Sequence, residues 1–582
     1  MLRRKSHALL ACGMVFTGAG GPAAVAQTSA KVSPPTRDDL MRGETPDAAP
    51  PTRLTIEGGI ERAPCTLDER AYSDIRIDIA AISFNHAELA PDVDLSPAFA
   101  AYLGGRYPVS ALCDIRDRAA TLLRDAGYMA AVQVPAQRIE DGAIRFEILF
   151  ARVAQIRVLG DAGRTERLLA GYLRHLTRDT VFNRNIAERY LLLARDLPGY
   201  DVKLSLKPAG TGAGALIGEV TVRRTPVMLD HNIQNFAGHD TGPWGQQLRA
   251  QFNGLTGLGD RTTVSLYATA DESEQKILQL GHEFRLGSEG LTVSGDFTYA
   301  WTRPDLGVDV RARTLFATGE VSYPLLRSSI ANIRGHIGMD LVNQRVGFAG
   351  IPLSEDKLRV AWLRIDADRA DGRARLGGIP AWRASGSIEL RRGMDIFGAS
   401  QGCLANPAAC TQSGAVAPSR PTGDPTATVV RLDGLAEIQL PARLGFSLRP
   451  RAQYAFDPLL SFEQYSAGNY TIGRGYMPGT LIGDSGLGVQ AELNMRAIRT
   501  GSDIALQPFA FVDSAWVWIK DAPGGAQRLT SVGGGVRTSL RDRMRLDVTI
   551  AIPTDRAGLQ TKSGDARLLV SLTTKLLPWM TR

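Results

Sequence analysis

From Pro226 onward the chain alternates apolar with polar or small residues in runs of roughly ten, each closed by Gly, Asp, Asn or Pro. The clearest run covers 486–497. Leu487, Val489, Ala491, Leu493 and Met495 share one face, and Gly486, Gly488, Gln490, Glu492, Asn494 and Arg496 the other. Residues 506–518 repeat the pattern, with Val512, Trp516 and Trp518 opposite Gln507, Phe511 and Asp513, and 568–576 do so again. One apolar and one polar face is what a wall between lipid and water requires. The pattern predicts about 16 antiparallel strands over 226–582, closed into a transmembrane β-barrel with no exposed strand edges. A soluble all-β protein would share the alternation; a secretory signal at the N-terminus, the absence of an α/β pattern and the length of the strand array favour the membrane barrel. An even strand number returns the chain to the side it entered, which puts the two longest connections, 395–425 and 456–483, on the outer side. Trp516 and Trp518, near a strand end, suit an interfacial aromatic girdle.

Ahead of the barrel the periodicity is mixed. Over 65–152, Ile75, Ile77 and Ile79 alternate with Arg76 and Asp78 as a half-buried strand, and Ser96-Pro97 opens a short helix. Ser110 is placed to cap a longer helix bearing Leu112, Ile115, Ala119 and Leu122, which Gly127 stops. Strands follow at 131–135 and 144–148, giving the order β-α-α-β-β. The same order recurs over 153–225: a strand at Ile156 and Val158, helices at 165–176 and 183–195, then strands at 202–206 and 219–222. The repeat predicts two like α+β modules in series.

The extreme N-terminus carries Arg3, Arg4 and Lys5, an apolar core over 8–16, and Ala24-Val25-Ala26. That is the order of a cleaved secretory signal spanning 1–26. Leu9-Leu10-Ala11-Cys12 resembles a lipoprotein processing site, but the apolar run continues past Cys12. No later run of about 18 apolar residues exists, so no membrane-spanning helix is expected. Residues 27–64 are rich in Pro and read as a linker, with a charged stretch at 36–42 that suits a helix of about two turns.

Against 60 Asp+Glu the 67 Lys+Arg leave a small basic excess for 582 residues, too small to point to a nucleic acid. With Cys12 lost in the signal, Cys65, Cys113, Cys403 and Cys410 form an even set in an oxidising compartment. Four cysteines allow three connectivities. Closeness in sequence favours Cys403 with Cys410, which leaves Cys65 with Cys113.

The outer loop 459–486 reads LLSFEQYSAGNYTIGRGYMPGTLIGDSG, and its core Gly473-Arg474-Gly475-Tyr476 sets one arginine between glycines that let backbone approach closely. A guanidinium confined in a pore costs several kcal/mol unless paired. Asp513 and Glu492, on the polar faces of nearby strands, are the candidate partners; a solvated surface loop is the plainer reading. Gly483-Asp484-Ser485-Gly486 copies a serine-nucleophile motif, yet all seven histidines precede it without a supporting context and the Ser opens a barrel strand. Gly473, Gly475 and Gly479 lack the strand-to-helix setting and Lys-Ser/Thr of a phosphate loop. No metal-ligand spacing stands out. Neither catalysis, a cofactor nor a metal is expected.

Glu463-Gln464-Tyr465, Ile472-Gly473-Arg474-Gly475-Tyr476, Gly483-Asp484-Ser485-Gly486 and Glu492-Leu493 resemble, in order and spacing, the two-partner secretion transporters. These are the haemolysin secretion/activation type of outer-membrane pore that exports haemolysins, filamentous adhesins and contact-dependent toxins. Asn253-Gly254-Leu255 with Gly257-Leu258-Gly259-Asp260 resembles the family's early barrel hairpin, and Gly127-Tyr128, Val134-Pro135-Ala136-Gln137 and Asp141-Gly142 its first periplasmic domain. The resemblance implies that the α+β modules are polypeptide-transport-associated (POTRA) domains in the periplasm. It also implies that Arg474 pairs with the aspartate of a Phe-x-Asp-x-Gly motif, matched by Phe511-Val512-Asp513-Ser514-Ala515 except for Ala515. Gly473 stands where relatives carry Val or Ile, and the chain ends Leu577-Pro578-Trp579-Met580 instead of in a terminal aromatic, so Trp579 is the candidate for recognition by the barrel-assembly machinery. Residues 36–42 are similar to the family's plug helix.

The partners implied are a secreted exoprotein with an N-terminal secretion domain, outer-membrane lipid, and that machinery during biogenesis. The implied mechanism is strand capture at a POTRA edge followed by threading through the lumen without a nucleotide. A barrel-assembly insertase of the same superfamily and a passive porin are the competing readings.

Overall fold

Val512 stands 49% exposed on the outside of the wall while its neighbour Asp513 is 0% exposed on the inside, and this alternation runs around a closed barrel. In the computed structural model the described residues are 36–40, 54–56, 65–69, 72–178, 181–210, 214–271, 274–373, 379–412, 414–469, 471–500, 503–541, 543–557 and 563–578. The secretory signal expected at 1–26 with Cys12, most of the linker, and Trp579 lie outside them.

Sixteen antiparallel strands form the wall, counting Ser485–Met495 and its continuation Ile498–Thr500, both paired to Ile504–Trp518, as one. The first strand, Val227–Gln234, closes on the last, Arg567–Leu577, through Asp230↔Lys575 to Gln234↔Ser571. Outward positions such as Leu266, Ile337 and Ile550 form the lipid face, and inward ones such as Asp340 and Gln344 are buried in the lumen. Strand length departs from the uniform ten or so expected. Val310–Arg327 and Ala331–Phe348 have 18 residues and Ile351–Ala370 has 20, about twice what a tilted strand needs to cross lipid. Backbone pairing continues past the membrane boundary there, and alternation alone carries no mark of where lipid stops. The connection after Trp382–Gly393 holds a one-turn helix, Ala408–Thr411, in a region where only strands and turns were expected; its Cys410 is bonded to Cys403, seven residues earlier.

In the first periplasmic module the strands Ala81–Asn85, Ala143–Phe150 and Ala130–Gln133 lie side by side in that order. Helix Ala111–Asp125 packs Ile115, Ala119 and Leu123 against Phe146 and Ile148, and Cys65 is bonded to Cys113 at a Cα separation of 6.0 Å. Two details differ from the sequence reading. Ser110 makes no capping bond, because its own backbone is already helical, and a short strand, Gly105–Pro108, pairs with Arg76–Ile79 where none was expected. Four residues are too few for a period to register.

The second module orders its sheet as Leu54–Ile56, Tyr200–Pro208, Ala215–Arg224, Arg152–Gly160, with helices Glu166–Arg174 and Arg184–Arg195 on one face. Asn183 does cap the second helix, accepting from the Asn185 and Ile186 N–H groups at 2.8 and 3.4 Å. Leu54–Ile56, read from sequence as linker, instead runs parallel to Tyr200–Pro208 in register Leu54↔Leu204 and Ile56↔Leu206.

This module is bolted to the barrel's periplasmic turns. Arg327 reaches Asp196 with two guanidinium bonds of 2.7 and 2.8 Å, the Ser329 N–H donates to Glu188 at 2.6 Å, and the Tyr190 hydroxyl to Glu289 at 2.9 Å. The turn 254–260 is held by Asp260, which accepts from the Leu255 and Thr256 N–H groups at 2.9 Å each and from the Thr256 hydroxyl at 2.5 Å. Burial works against its charge, but these bonds hold its carboxyl below the usual aspartate value. A lowered native value stabilises above the unfolded carboxylate range of about 4, and the contribution fades as pH falls through the native value. Asp260→Ala is expected to destabilise the purified protein by about 1–3 kcal/mol at pH 7. The melting-temperature gap to wild type should shrink at pH 3, and a gap independent of pH would contradict the assignment.

Candidate functional site inside the barrel

The outer loop that follows Leu444–Ala455 turns inward instead of standing in solvent. Its roots pair as a small hairpin, Tyr465–Ala467 with Leu481–Gly483, and Ile472, Tyr476 and Leu481 bury against Ala515, Val517 and Leu529 of the inner wall. Glycine on the wall makes the room. A Cβ on Gly488 would lie 2.4 Å from Ile472 Cδ1 and 2.6 Å from the Tyr465 hydroxyl.

At the tip, the Arg474 guanidinium grips Asp513 through Nη2 to Oδ1 at 2.9 Å and Nε to Oδ2 at 3.0 Å, and its own backbone N–H donates to the same Oδ2 at 3.0 Å. Nη1 reaches Glu492 at 3.2 Å, and Glu492 also takes two bonds from Arg537 at 2.5 and 2.8 Å. The flat face of Arg474 lies 3.5 Å from the centre of the Phe511 ring, and Arg537 lies 4.0 Å over Phe509. Two arginines, two carboxylates and two rings thus form one stacked, charge-balanced knot. A lysine could supply neither the fork nor the stacking plane.

The glycines around Arg474 have distinct tasks. Gly473 sits at φ +112°, a conformation that side chains rarely adopt, and a Cβ there would meet Leu529 Cδ1 at 2.6 Å. A Cβ on Gly475 would fall 2.8 Å from Pro553 N, so the loop backbone lies directly on the wall, and its N–H donates to Ser531 at 3.2 Å. The Tyr476 hydroxyl lies 2.9 Å from the Thr530 carbonyl and accepts from the Asp555 N–H at 3.0 Å. Ala515 is fully buried in the cluster beneath the loop.

A second ionic knot lies deeper and escaped the sequence reading. Arg391, 1% exposed, binds Glu463 of the loop at 2.9 and 3.0 Å, Asp340 at 2.6 Å and Glu389 at 2.9 Å. Arg431 joins Glu463 at 2.9 Å. Into this knot reaches helix Arg37–Leu40: Arg37 lies 3.5 Å from Glu389, and Leu40 is buried in the lumen among Tyr267, Phe316, Leu358 and Phe462. Arg364 also lies 3.8 Å from Glu389, so the helix adds Arg37 to a network of charges that the wall and the loop already share. The signal was present in the sequence: Glu389 and Arg391 alternate with Ile388 and Leu390, which marks them as inward charges that require partners.

The serine motif has a structural use. Asp484 is fully buried and takes the N–H groups of Leu459 at 2.9 Å and Lys520 at 2.8 Å together with the Arg420 guanidinium, and Ser485 Oγ accepts from the Ala455 N–H at 3.0 Å. It ties the roots of the outer loops together.

The family of haemolysin secretion/activation proteins ShlB/FhaC/HecB matches this chain over residues 219–538, more than half of its length. The chain belongs to that family. The transporter's fold is also that of CdiB from Escherichia coli, at a TM-score of 0.71 and 16% identity, covering 89% of this chain and 94% of that one. CdiB from Acinetobacter baumannii is similar at a TM-score of 0.64 and 18% identity, over 86% and 90% of the two chains. No curated protein is significantly similar in sequence. The molecule is therefore an outer-membrane β-barrel transporter of the two-partner secretion class, with its α+β modules on the periplasmic side.

Proposed function

We propose that this transporter exports one partner exoprotein from the periplasm to the cell surface through the lumen of its own barrel, and that the loop at Arg474 and the helix at 37–40 hold that lumen closed at rest. The observation that carries the reading is the double occupancy of the lumen: both inserts are clamped to the wall by charge pairs as well as by apolar burial, non-covalent contacts that can be broken and remade. The two modules supply the capture step. An extended chain binds a sheet edge through backbone hydrogen bonds, with little demand on sequence.

Of the second module's two edges, Arg152–Gly160 is open among the described residues and Tyr200–Pro208 is covered by Leu54–Ile56. A cavity of about 1220 Å³ joins Leu197, Tyr200 and Asp201 of that module to the lumen-facing Met228, Arg261 and Arg285. A strand that takes the Tyr200–Pro208 edge arrives at the barrel mouth and displaces the N-terminal segment whose upstream end is the lumen helix. Capture and opening are thereby one event. Arg474, Asp513 and Glu492 act as the lock on the loop, and no chemical step is required of any residue.

Deleting the gene tests the reading. One large protein is expected to vanish from the surface and medium and accumulate or be degraded in the periplasm, with other outer-membrane barrels at normal levels by quantitative proteomics. Depleted barrels with every exported protein still outside would assign the molecule to barrel assembly.

A further inference from the structure

The long strands carry a charge pattern on their lipid-facing side that export leaves unexplained. Residues directly opposite in an antiparallel pair share a face. Across Gln275–Leu286, Leu291–Thr302, Val310–Arg327, Ala331–Phe348 and Ile351–Ala370 the register sets Lys276 opposite Trp301, Trp301 opposite Arg313, Arg313 opposite Arg345, and Arg345 opposite Glu355. The parallel row on the periplasmic side of it runs Leu278, Tyr299, Leu315, Asn343, Lys357. These positions face outward, because the residues between them, Thr314 and Gln344, are buried in the lumen and bonded to each other at 3.0 Å.

Further toward the periplasm the same face turns apolar, with Val321, Ile337 and Leu363 exposed at 39, 61 and 52%. The basic row therefore sits at the outer end of the lipid-facing band. Tyr299 and Trp301, with ring centres 4.5 Å apart, lie in it where an interfacial aromatic belt belongs.

Two arginines directly opposite across a strand pair repel, and such a pair persists where something between them is negative. Arg345 and Lys357 share Glu355, at 2.8 and 3.3 Å, and Arg303 and Arg311 share Asp309, at 3.2 and 3.0 Å. Arg313 has no ion pair or hydrogen bond among the described residues. Arg392 at the outer end of Trp382–Gly393 extends the row. Outward positions at the outer ends of the other strands carry among the described residues only Arg528, which is paired with Asp555 at 3.0 Å. The charge is thus one-sided, and it stands at the height where lipid headgroups begin.

We propose that this rim binds the phosphorylated headgroup of an outer-leaflet glycolipid, with one phosphate held between Arg313 and Arg345 and with Lys276 and Lys357 on its flanks. Guanidinium forks match phosphate oxygens in pairs, and Trp301 and Tyr299 pack against the sugar and upper acyl region. The bound lipid neutralises the arginine pair and shields the part of the wall where three long strands leave the membrane.

The test uses the delipidated full-length protein in detergent, titrated with bisphosphorylated lipid A and read by native mass spectrometry. Wild type is expected to retain lipid A, the Arg313→Glu/Arg345→Glu variant to bind it about thirtyfold more weakly, and dephosphorylated lipid A to bind wild type as weakly as that variant. Arg313→Lys/Arg345→Lys should keep most of the affinity, which separates charge from folding, and Arg528→Glu should keep all of it. Equal binding of the two lipid forms, or unchanged binding by the double Glu variant, would overturn the proposal. So would displacement by inorganic phosphate at matched concentration, the mark of a free-anion site. Loss of export with lipid A binding intact would assign the rim to an acidic polypeptide instead.

Discussion

Arg474→Ala is expected to abolish most export while leaving the barrel inserted and its heat-modifiable migration unchanged. Removing the guanidinium strips Asp513, fully buried, of its charged partner among the described residues, and leaves it there a single bond from the position-474 N–H. Breaking a buried pair from one side costs about 3–5 kcal/mol, because the remaining charge stays desolvated. The Phe511 face is uncovered as well. The wall itself is spared: Glu492 keeps both bonds to Arg537, and the ladder between Ile504–Trp518 and its neighbours is untouched. The loss therefore falls on the loop's seat: the pair that must be remade between rounds of export is gone, and an unseated loop stays in the path of the exported chain. Asp513→Asn, which leaves the arginine charged and half-bonded, should be milder.

A charge exchange, Arg474→Asp with Asp513→Arg, should rescue only in part, since the backbone N–H at 474 now donates to a carboxylate and would face a cation after the exchange. Normal export by Arg474→Ala would remove the lock from the mechanism.

How much of this was legible in the sequence depended on period and length. Strands such as Ser485–Met495 and Ile504–Trp518 announce themselves, because lipid on one side and water on the other force a period of two over ten or more residues. Where strands outrun the membrane, as in Ile351–Ala370, the same period continues and hides the boundary. Leu54–Ile56 and Gly105–Pro108 were invisible for the opposite reason, being too short to show any period and fixed only by the strand they join.

The site divides the same way. Arg474 between glycines is conspicuous, because a lone charge in a Gly-rich loop needs a partner, and resemblance to the family pointed to Asp513. Arg391 and Glu463 form a buried pair too: alternation with Ile388 and Leu390 marks Arg391 as an inward charge, but its partner lies 72 residues away and only closure of the barrel brings them together. The Phe511 stacking was likewise hidden, since it needs the third dimension of the loop.

The lumen helix yields the second large effect. Arg37–Leu40 sits across the route that an exported chain would take, with the Leu40 carbonyl accepting from Gln279 Nε2 at 3.2 Å and its side chain closed in by Phe462 of the inward loop. Among the described residues its hold includes the ion pair through Arg37, the Arg37 guanidinium 5.9 Å over the Phe316 ring, the hydrogen bond to Gln279 and the buried Leu40, non-covalent contacts worth about 1–3 kcal/mol each. That is enough to keep a pore shut and little enough for a captured strand to overcome. A covalent bond at the same place removes the exit.

Cysteines at Leu40→Cys and Gln279→Cys, joined in intact cells by a short thiol-to-thiol crosslinker, make the direct measurement: export of the partner protein before and after joining. The account predicts that the unjoined double variant exports at the wild-type rate and the joined one falls to about a tenth or less, in proportion to the crosslinked fraction. Export that continues undiminished with the helix tethered in the lumen would mean that the exported chain does not pass through this barrel, and would contradict the account at its centre.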